Sequence, residues 1–280
     1  MFLFKLPNNG PVILHTGDFR ACADMEEYPE LWNNKVDQLY LDTTYCKPEY
    51  DFPNQSSVIN YSVELTRKHL QRFPNTLICV GSYTVGKERI FTAIAKDIDS
   101  KIWGSSEKCR VLKTLSDSVI DSRLVPNAQD AQIHVMEMNK VKRKDLLQEH
   151  IKHFPKFQCI LGIVPTGWTH EKGASSENLS TMKIKNLGHQ VYQLNVPYSE
   201  HSSYSELKRF VRFLKLKSAG QILATVNVGN AVSRNAQKTI FSCQVHGGHV
   251  CKNIHIFKCT KNIFSQVHGE QGPNSVHQNL

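Results

Sequence analysis

Acidic and imidazole side chains follow three short apolar runs of the sequence, at the points where strands are predicted to end. Asp18 lies in HTGDFR, Asp42 in LYLDTTY and His201 in VPYSEHSSY. Carboxylates and imidazoles that project from strand-end loops are the side chains that hold zinc and other catalytic metals. One such residue is usually structural, whereas three at comparable places predict a metal site.

A second candidate is the segment GSYTVGKE (81–88), which lies between a predicted strand and a predicted helix. It matches the phosphate-binding pattern G-x-x-x-x-G-K-[ST] up to the last position. There Glu88 replaces the hydroxyl residue that would hold Mg²⁺, and its negative charge would repel a nucleotide phosphate. The pattern favours a glycine-containing helix entry, with a nucleotide-binding module as the alternative.

The third candidate is the segment 236–280, which is rich in histidine and cysteine and has no hydrophobic periodicity. Structural zinc sites use pairs of ligands that are two to four residues apart. Cys243, Cys251 and Cys259 are instead separated by seven intervening residues each. The spacing therefore favours a divergent, disordered tail over a zinc finger.

The composition indicates a soluble intracellular protein with an anionic partner. Among 280 residues, 34 are Lys or Arg and 25 are Asp or Glu, which gives a net charge of +9. Nucleic acid is the commonest partner of such a chain. No apolar run approaches the roughly 18–20 residues of a membrane-spanning helix. The eight cysteines have no paired spacing and no export signal precedes them, which indicates reduced thiols.

Alternating strands and helices are predicted to position these candidates, and they indicate an α/β fold. FLFKL, the turn PNNGP and VILHT predict a hairpin, because Asn-Gly supplies the positive φ angles of a tight turn. TLICVG and CILGIVP predict buried strands. Helices are predicted at 54–73, at 140–157, where the helix is basic and amphipathic, and at 204–216.

Six motifs, in this order, carry a resemblance to a known family: HTGDFR, LYLDTTYCKPEY, VGSYTVGKE, PTGWTH, PYSEHSSY and TVNVG. Together they resemble the DNA cross-link repair nucleases of the metallo-β-lactamase/β-CASP superfamily, the group of the Pso-type, Artemis and Apollo proteins. The resemblance implies a partial αββα metallo-β-lactamase sandwich with an inserted β-CASP α/β domain. In this arrangement residues 1–43 are the C-terminal part of the first lactamase segment, residues 44–163 are the insert, and residues 164–235 are the returning lactamase segment. The DNA-repair metallo-β-lactamase region would span about 120–232.

The resemblance also implies an activity. It is a zinc-dependent 5′→3′ exonuclease that acts on 5′-phosphorylated DNA in the nucleus during interstrand cross-link repair. By motif position, Asp18 would bridge two metals, His201 would complete the shell of the second metal, and Asp42 would orient that ligand. Such a carboxylate helps two cations to activate water and to offset charge in the transition state. Val228 falls where the DNA-processing branch has an apolar residue, which favours DNA over RNA.

Side chains beside these motifs are predicted to contact DNA. The hydroxyls of Ser202 and Ser203, next to His201, could donate to a terminal phosphate. The cationic side chains of Lys108 and Arg110 could neutralise backbone phosphates. For the two cations, a solvated surface position is an equal alternative. The predicted phosphate- and DNA-binding residues are Thr44, Tyr45, Lys108, Arg110, Ser202 and Ser203.

The sequence departs from the family pattern in one respect. The principal metal motif of the family, H-x-H-x-D-H, precedes HTGDFR and is not in this sequence. We therefore expect an N-terminally truncated member that lacks most ligands of the first zinc, is inactive alone, and has an exposed sheet edge. The alternative to a nuclease is a non-catalytic DNA-binding remnant or regulator that binds by counterion release.

Overall fold

The computed structural model describes residues 1–167, 179–216 and 221–226. The chain divides into two compact units. Unit 1 contains Met1–Pro48 and the described residues from Tyr204 onward, and unit 2 contains Glu49–Ser203. Each unit has its own sheet with helices packed on it, so the predicted α/β class is confirmed. The predicted tail at 236–280 and the position of Val228 lie outside the described residues.

Unit 1 is built on a four-stranded sheet with the order β1-β2-β3-β10. Its strands are β1 (Phe2–Lys5), β2 (Val12–His15), β3 (Gln38–Leu41) and β10 (Ile222–Ala224). The predicted hairpin is confirmed, because β1 and β2 pair antiparallel. The predicted turn position is wrong by one residue, because the positive φ angles, 56° each, lie at Asn8 and Asn9 and not at Asn9 and Gly10. β2, β3 and β10 run parallel to one another. The loops that carry Asp18 and Asp42 therefore both lie at the carboxyl ends of the parallel strands of this sheet.

Two helices, α1 (Pro29–Asn33) and α8 (Tyr204–Phe213), belong to unit 1. Leu207, Phe210 and Val211 of α8 recur at helical spacing and are buried in the core that includes the strands of the sheet. The ring of Phe210 meets that of Phe19 edge to face, with 5.1 Å between the centroids. Because Phe19 directly follows Asp18 in the chain, this packing also restrains the loop after β2.

β1 is the terminal strand of the described sheet of unit 1, and it carries exposed apolar side chains. The exposed fraction is 65% for Phe2 and 51% for Phe4. Residues two apart in a strand project from the same face, and the two rings are stacked with 6.3 Å between their centroids. Among the described residues, the exposed edge expected from the sequence is therefore present.

Unit 2 is built on a six-stranded sheet with the order β5-β6-β4-β7-β9-β8. Its strands are β4 (Thr76–Ser82), β5 (Ile102–Gly104), β6 (Ile133–Glu137), β7 (Cys159–Pro165), β8 (Ile184–Asn186) and β9 (Val191–Val196). All neighbours are parallel except β8 and β9. Every residue of β4 and β7 is buried, as expected for central strands of a sheet covered on both faces. The predicted buried strands are confirmed.

Helices cover both faces of the six-stranded sheet. One face carries α2 (Gln55–Arg72), α3 (Glu88–Asp97), α4 (Ser106–Lys113) and α5 (Ser118–Arg123). The other carries α6 (Met138–Val141) and α7 (Lys144–Lys152). The division follows the alternation of side chains along β4, because Ile78 and Val80 pack into the first cluster and Leu77 and Cys79 into the second.

The predicted single helix at 140–157 is wrong in its extent. The chain forms α6 and α7 instead, and Arg143 between them has an extended backbone with φ −102° and ψ 118°. Val141 from α6 and Leu147 from α7 are nevertheless buried in one cluster. The hydrophobic spacing did not reveal the break, because both short helices reach the same core. The helix predicted at 54–73 is confirmed by α2.

The two units do not end where the predicted segments end. Unit 2 continues to Ser203, because β9 hydrogen-bonds to β7 within the six-stranded sheet. The predicted segments 1–43, 44–163 and 164–235 describe how one domain is inserted into another in the family, and they stay a prediction. None of the helices in the described part of the chain combines the length and the apolar character needed to span a membrane.

Candidate metal centre

The carboxylate of Asp42 is held in a buried network at the end of β3. Its Oδ1 accepts hydrogen bonds from the backbone amide and the hydroxyl of Thr44, at 2.9 and 2.6 Å. Its Oδ2 lies 3.5 Å from the amide of Phe19, and the amide of Asp42 donates to the hydroxyl of Thr16 at 3.0 Å. These contacts fix both the position and the orientation of the carboxylate.

Asp18 lies in the loop that follows β2, and its side chain is exposed. The preceding Gly17 has a φ of 60°, a left-handed conformation that glycine adopts at little cost. Its amide donates a hydrogen bond to Nδ1 of His15 at 3.0 Å. Burial lowers the pKa of His15, which favours the neutral ring that this acceptor nitrogen requires. The turn that presents Asp18 is thus fixed on its N-terminal side.

His201 follows β9 and precedes the first residue of α8 by three positions. The hydroxyl of Ser199 accepts a hydrogen bond from the amide of His201 at 2.9 Å and donates to its carbonyl oxygen at 3.0 Å. These two bonds hold the backbone of His201 in a tight turn. Because so few residues intervene, the chain keeps His201 within about 10 Å of the start of α8.

One potential ligand atom from each of Asp18, Asp42 and His201 lies within 4.8 Å of the other two. The structure therefore brings together the three residues that the sequence singled out. Two carboxylates and one imidazole are ligands that zinc accepts, and two ligands of one zinc ion lie roughly 3.5–4.2 Å apart. The chemistry of this donor set therefore fits a zinc ion.

Sequence reasoning missed an ion pair that supports this group. Nε of Arg20 donates to both carboxylate oxygens of Glu206, at 3.1 and 2.8 Å. Their side chains are only 7% and 13% exposed. The pair joins the loop of Asp18 to the first turn of α8, and both partners belong to unit 1. They are separated by 186 positions in the sequence, so no local spacing could have revealed it.

The predicted phosphate-binding residues have different environments. The hydroxyl of Thr44 donates to Asp42. The side chains of Tyr45, Ser202 and Ser203 are buried. Arg110 is exposed on α4. Contacts between these residues and DNA stay predictions.

Lys108 holds the loop that follows β4. Its ammonium donates hydrogen bonds to the carbonyl oxygens of Tyr83 and Thr84, at 2.9 and 3.0 Å. It also pairs with the carboxylate of Glu88 at 3.1 Å. Because these three acceptors surround the buried ammonium, Arg110 is the more accessible of the two predicted DNA-binding cations.

The backbone donors of GSYTVGKE bind carboxylates. The amide of Gly86 donates to Glu88 at 2.9 Å, and the amide of Lys87 donates to Glu200 at 2.8 Å. The ammonium of Lys87 donates to the carbonyl oxygen of Tyr198 at 3.3 Å. A phosphate-binding loop would direct such donors at a nucleotide. The geometry therefore favours a helix entry over a nucleotide-binding module.

Comparison with known proteins gives a consistent set of relatives. Residues 118–230 match the family model described as DNA repair metallo-beta-lactamase. The chain is 42% identical over 243 residues to the DNA cross-link repair 1A protein of Gallus gallus, which covers 86% of this chain and 24% of that protein. It is 40% identical over 234 residues to the DNA cross-link repair protein SNM1 of Arabidopsis thaliana, and the match covers 83% of this chain and 47% of that protein.

A more distant relative is the 5′ exonuclease Apollo of Gallus gallus, which is 27% identical over 215 residues, with 77% of this chain and 40% of that protein covered. The chain thus spans about a quarter to a half of the length of these relatives. The residues that match the family model include His201 and four of the six strands of the sheet of unit 2, namely β6, β7, β8 and β9. Residues 118–230 therefore carry a DNA repair metallo-beta-lactamase domain, and the chain is similar along most of its length to DNA cross-link repair proteins.

Proposed function

We propose that this chain supplies part of the catalytic centre of a zinc-dependent DNA nuclease that acts in interstrand cross-link repair in the nucleus. The reaction is hydrolysis of phosphodiester bonds in the 5′→3′ direction from 5′-phosphorylated ends. The convergence of Asp18, Asp42 and His201 within 4.8 Å, in a chain that carries a DNA repair metallo-beta-lactamase domain, carries the proposal.

The side chains of the group differ in ways that suit different roles. A zinc ion, when bound, would polarise the phosphate and lower the pKa of a bound water. Asp18 is exposed and presents a carboxylate that can reach such an ion. Asp42 is buried and held by Thr44, so it can serve as a fixed acceptor that orients its neighbours. His201 supplies the neutral ligand of the set.

DNA is the proposed substrate for two reasons. The net charge of +9 favours binding to a polyanion, with release of its counterions. The relatives are named for DNA cross-link repair, and one is named a 5′ exonuclease. The exposed guanidinium of Arg110 is the side chain that we assign to a backbone phosphate of the bound strand.

A second candidate function is DNA binding without cleavage. The ligand group contains three residues in the described part of the chain. A site that holds two metals in catalytic geometry normally uses more protein ligands than this. Under this alternative, the chain binds DNA with strong salt dependence and leaves the strand intact.

The test is digestion of a 5′-phosphorylated, 3′-labelled single strand by the purified full chain, with zinc and with a chelator. The nuclease proposal expects shortening from the 5′ end that the chelator stops. Asp18→Ala should abolish this shortening, whereas Asp24→Ala, an exposed acid in the same unit, should leave it unchanged. Zinc content after dialysis provides a second readout of the same substitution.

Two outcomes would overturn the nuclease proposal for this chain. One is a folded preparation that binds the strand but does not shorten it at any zinc concentration, which would favour DNA binding alone. The other is cleavage that persists in Asp18→Ala, because the activity would then come from a contaminant or from another site.

A further inference from the structure

The six-stranded sheet of unit 2 has a topological switch point that the proposed hydrolysis does not use. β4 and β6 are parallel neighbours in this sheet. The chain continues from β4 into α3 on one face and from β6 into α6 on the opposite face. In open parallel sheets, ligands bind in the crevice at the carboxyl ends of two strands with this relation.

A cavity of about 630 Å³ opens at this point of the sheet. Its walls come from the segments after β4, β5 and β6, which include Tyr83, Ser105 and Asn139, and from α7, which contributes Leu146 and His150. Pockets for small molecules have volumes of roughly 300–1,000 Å³. All the residues that line the cavity belong to unit 2, so we call it the unit 2 crevice.

The walls of the unit 2 crevice suit a flat ring. Trp103, Met136 and Met138 line it, and Tyr83 beside it is 56% exposed. Aromatic side chains stack on nucleobases, and thioethers make favourable contacts with aromatic rings. Such a set of polarisable side chains favours a planar ligand more strongly than an aliphatic wall does.

The position of Met138 depends on a glycine in β4. A Cβ atom built on Gly81 would lie 2.7 Å from Sδ of Met138, which is closer than real Cβ atoms approach. Gly81 therefore permits the first residue of α6 to lie directly against the strand. This close approach positions Met138, which lines the crevice.

The charges around the crevice disfavour a phosphate. The two ammonium groups that line it are both paired, Lys108 with Glu88 and Lys140 with Glu137. Glu107 also lines the crevice, and its carboxylate makes no hydrogen bond or ion pair with the described part of the chain. A chain with a charge of +9 therefore presents unpaired negative charge here. A neutral ring with N–H donors fits this environment better than an anion does.

We propose that the unit 2 crevice binds an unpaired nucleobase, either of a free nucleoside or of a nucleic-acid strand. Trp103 and the two methionines contact the face and edge of the ring. Glu107 and Asn139 accept hydrogen bonds from ring or exocyclic amino groups, and the sugar and phosphate remain outside. The proposal goes beyond the proposed hydrolysis, and it requires no metal.

The experiment is calorimetric titration of the full chain, in the presence of a chelator, with deoxyadenosine and with deoxyribose 5-phosphate. Deoxyadenosine should bind with saturation, and the sugar phosphate should not. Leu146→Trp fills the crevice and should weaken nucleoside binding at least tenfold. Leu115→Trp places the same ring at an exposed leucine outside the crevice and should change binding less than twofold. Asn139→Trp, at an exposed lining position, is a second filling variant should Leu146→Trp not fold.

A second titration distinguishes the two sources of the base. It compares a short oligodeoxyadenylate with the same backbone made of abasic nucleotides. If Leu146→Trp weakens binding of the first strand and not of the second, the crevice takes a base from a strand. If it weakens only deoxyadenosine, the ligand is a free nucleoside, and either result supports the proposal.

Three results would overturn the proposal. They are no saturable binding of deoxyadenosine at millimolar concentration, equal binding of deoxyribose 5-phosphate, and unchanged binding in both filling variants. Because the titrations use a chelator and no cleavage readout, failure here leaves the proposed nuclease activity untouched. Loss of cleavage in the earlier digestion would likewise not decide whether the crevice binds a base.

Discussion

The two units differ in how their sheets are covered. In unit 2, helices lie on both faces of the sheet, and every residue of β4 and β7 is buried. In unit 1, the terminal strand of the described sheet exposes Phe2 and Phe4, and no strand of this sheet is buried at every position. The central strands of unit 2 are therefore covered on both faces, whereas none of the described strands of unit 1 is buried along its whole length.

The candidate chemistry is distributed in the opposite way. Asp18 and Asp42 both lie in loops of unit 1, where hydrogen bonds from Thr44 hold the carboxylate of Asp42. Stability should therefore depend mainly on apolar packing in unit 2, and metal binding mainly on the polar network of unit 1. Substitutions in the two units should affect different measurements.

The largest expected effect on stability is that of Leu161→Ala in β7. Leu161 is fully buried in the first cluster of unit 2. Removing a buried leucine side chain leaves a cavity, and we expect the free energy of unfolding of unit 2 to fall by about 4 kcal/mol. Urea unfolding followed by circular dichroism measures the change. Phe4→Ala, on the exposed strand of unit 1, should cost less than about 1 kcal/mol. Similar losses in the two variants would contradict the difference between the sheets.

The next effect is a dependence of unit 2 stability on pH. His134 in β6 is fully buried, and burial lowers its pKa to about 4. In the unfolded chain its pKa is about 6.5, so the unfolded state takes up a proton first as the pH falls. The stability that this residue contributes is complete above pH 6.5 and is lost progressively towards pH 4. The full loss is about 3 kcal/mol.

Urea midpoints between pH 7.5 and 4.5 test this prediction. In His134→Gln the slope against pH should decrease, because the titrating group is gone. Burial also lowers the pKa of His69 and His150, so a smaller slope of the same sign should remain. An identical slope in the variant and the parent would show that His134 does not cause the acid sensitivity.

The smallest effect is expected for Glu206→Gln in unit 1. Glutamine keeps one acceptor for Arg20 but removes the charge from a nearly buried pair, so we expect a loss of about 2 kcal/mol. Zinc affinity should fall as well, because Arg20 anchors the loop of Asp18. Glu26→Gln is the matched control. Glu26 forms a more exposed ion pair with Arg209, which lies in α8 like Glu206, and its substitution should cost less than about 1 kcal/mol. Equal zinc affinity in Glu206→Gln and the parent would contradict the claim that the pair of Arg20 and Glu206 anchors the loop of Asp18.

Much of the fold could be predicted from local patterns. The hairpin followed from a turn-forming segment between two apolar runs, although its positive φ angles lie at Asn8 and Asn9 and not at Asn-Gly. The central strands followed from continuous apolar runs, and α2 followed from helical spacing with an N-cap at Asn54, whose side chain accepts from the amide of Ser57. The break between α6 and α7 could not be predicted, because Val141 and Leu147 satisfy one hydrophobic period from two separate helices. Local patterns report burial, and they do not report where the backbone changes direction.

The candidate site was predicted in part. Asp18, Asp42 and His201 could be selected because each follows an apolar run and has a metal-binding side chain. The pairing of Arg20 with Glu206 could not be predicted, because it depends on how α8 packs against a distant loop. The crevice in unit 2 was also missed. Its lining comes from four separate segments, and no local spacing shows that they meet.

The paired histidines of unit 2 have a defined tautomeric order. The carbonyl oxygen of Ala128 can only accept, so Nε2 of His134, 3.0 Å away, carries the proton. Nδ1 of neutral His134 is then an acceptor, and it must receive its hydrogen bond from Nε2 of His150 at 2.9 Å. Nδ1 remains as the basic nitrogen of His150. One backbone carbonyl thus decides, through two imidazole rings, that the histidine in the wall of the crevice offers a lone pair at Nδ1.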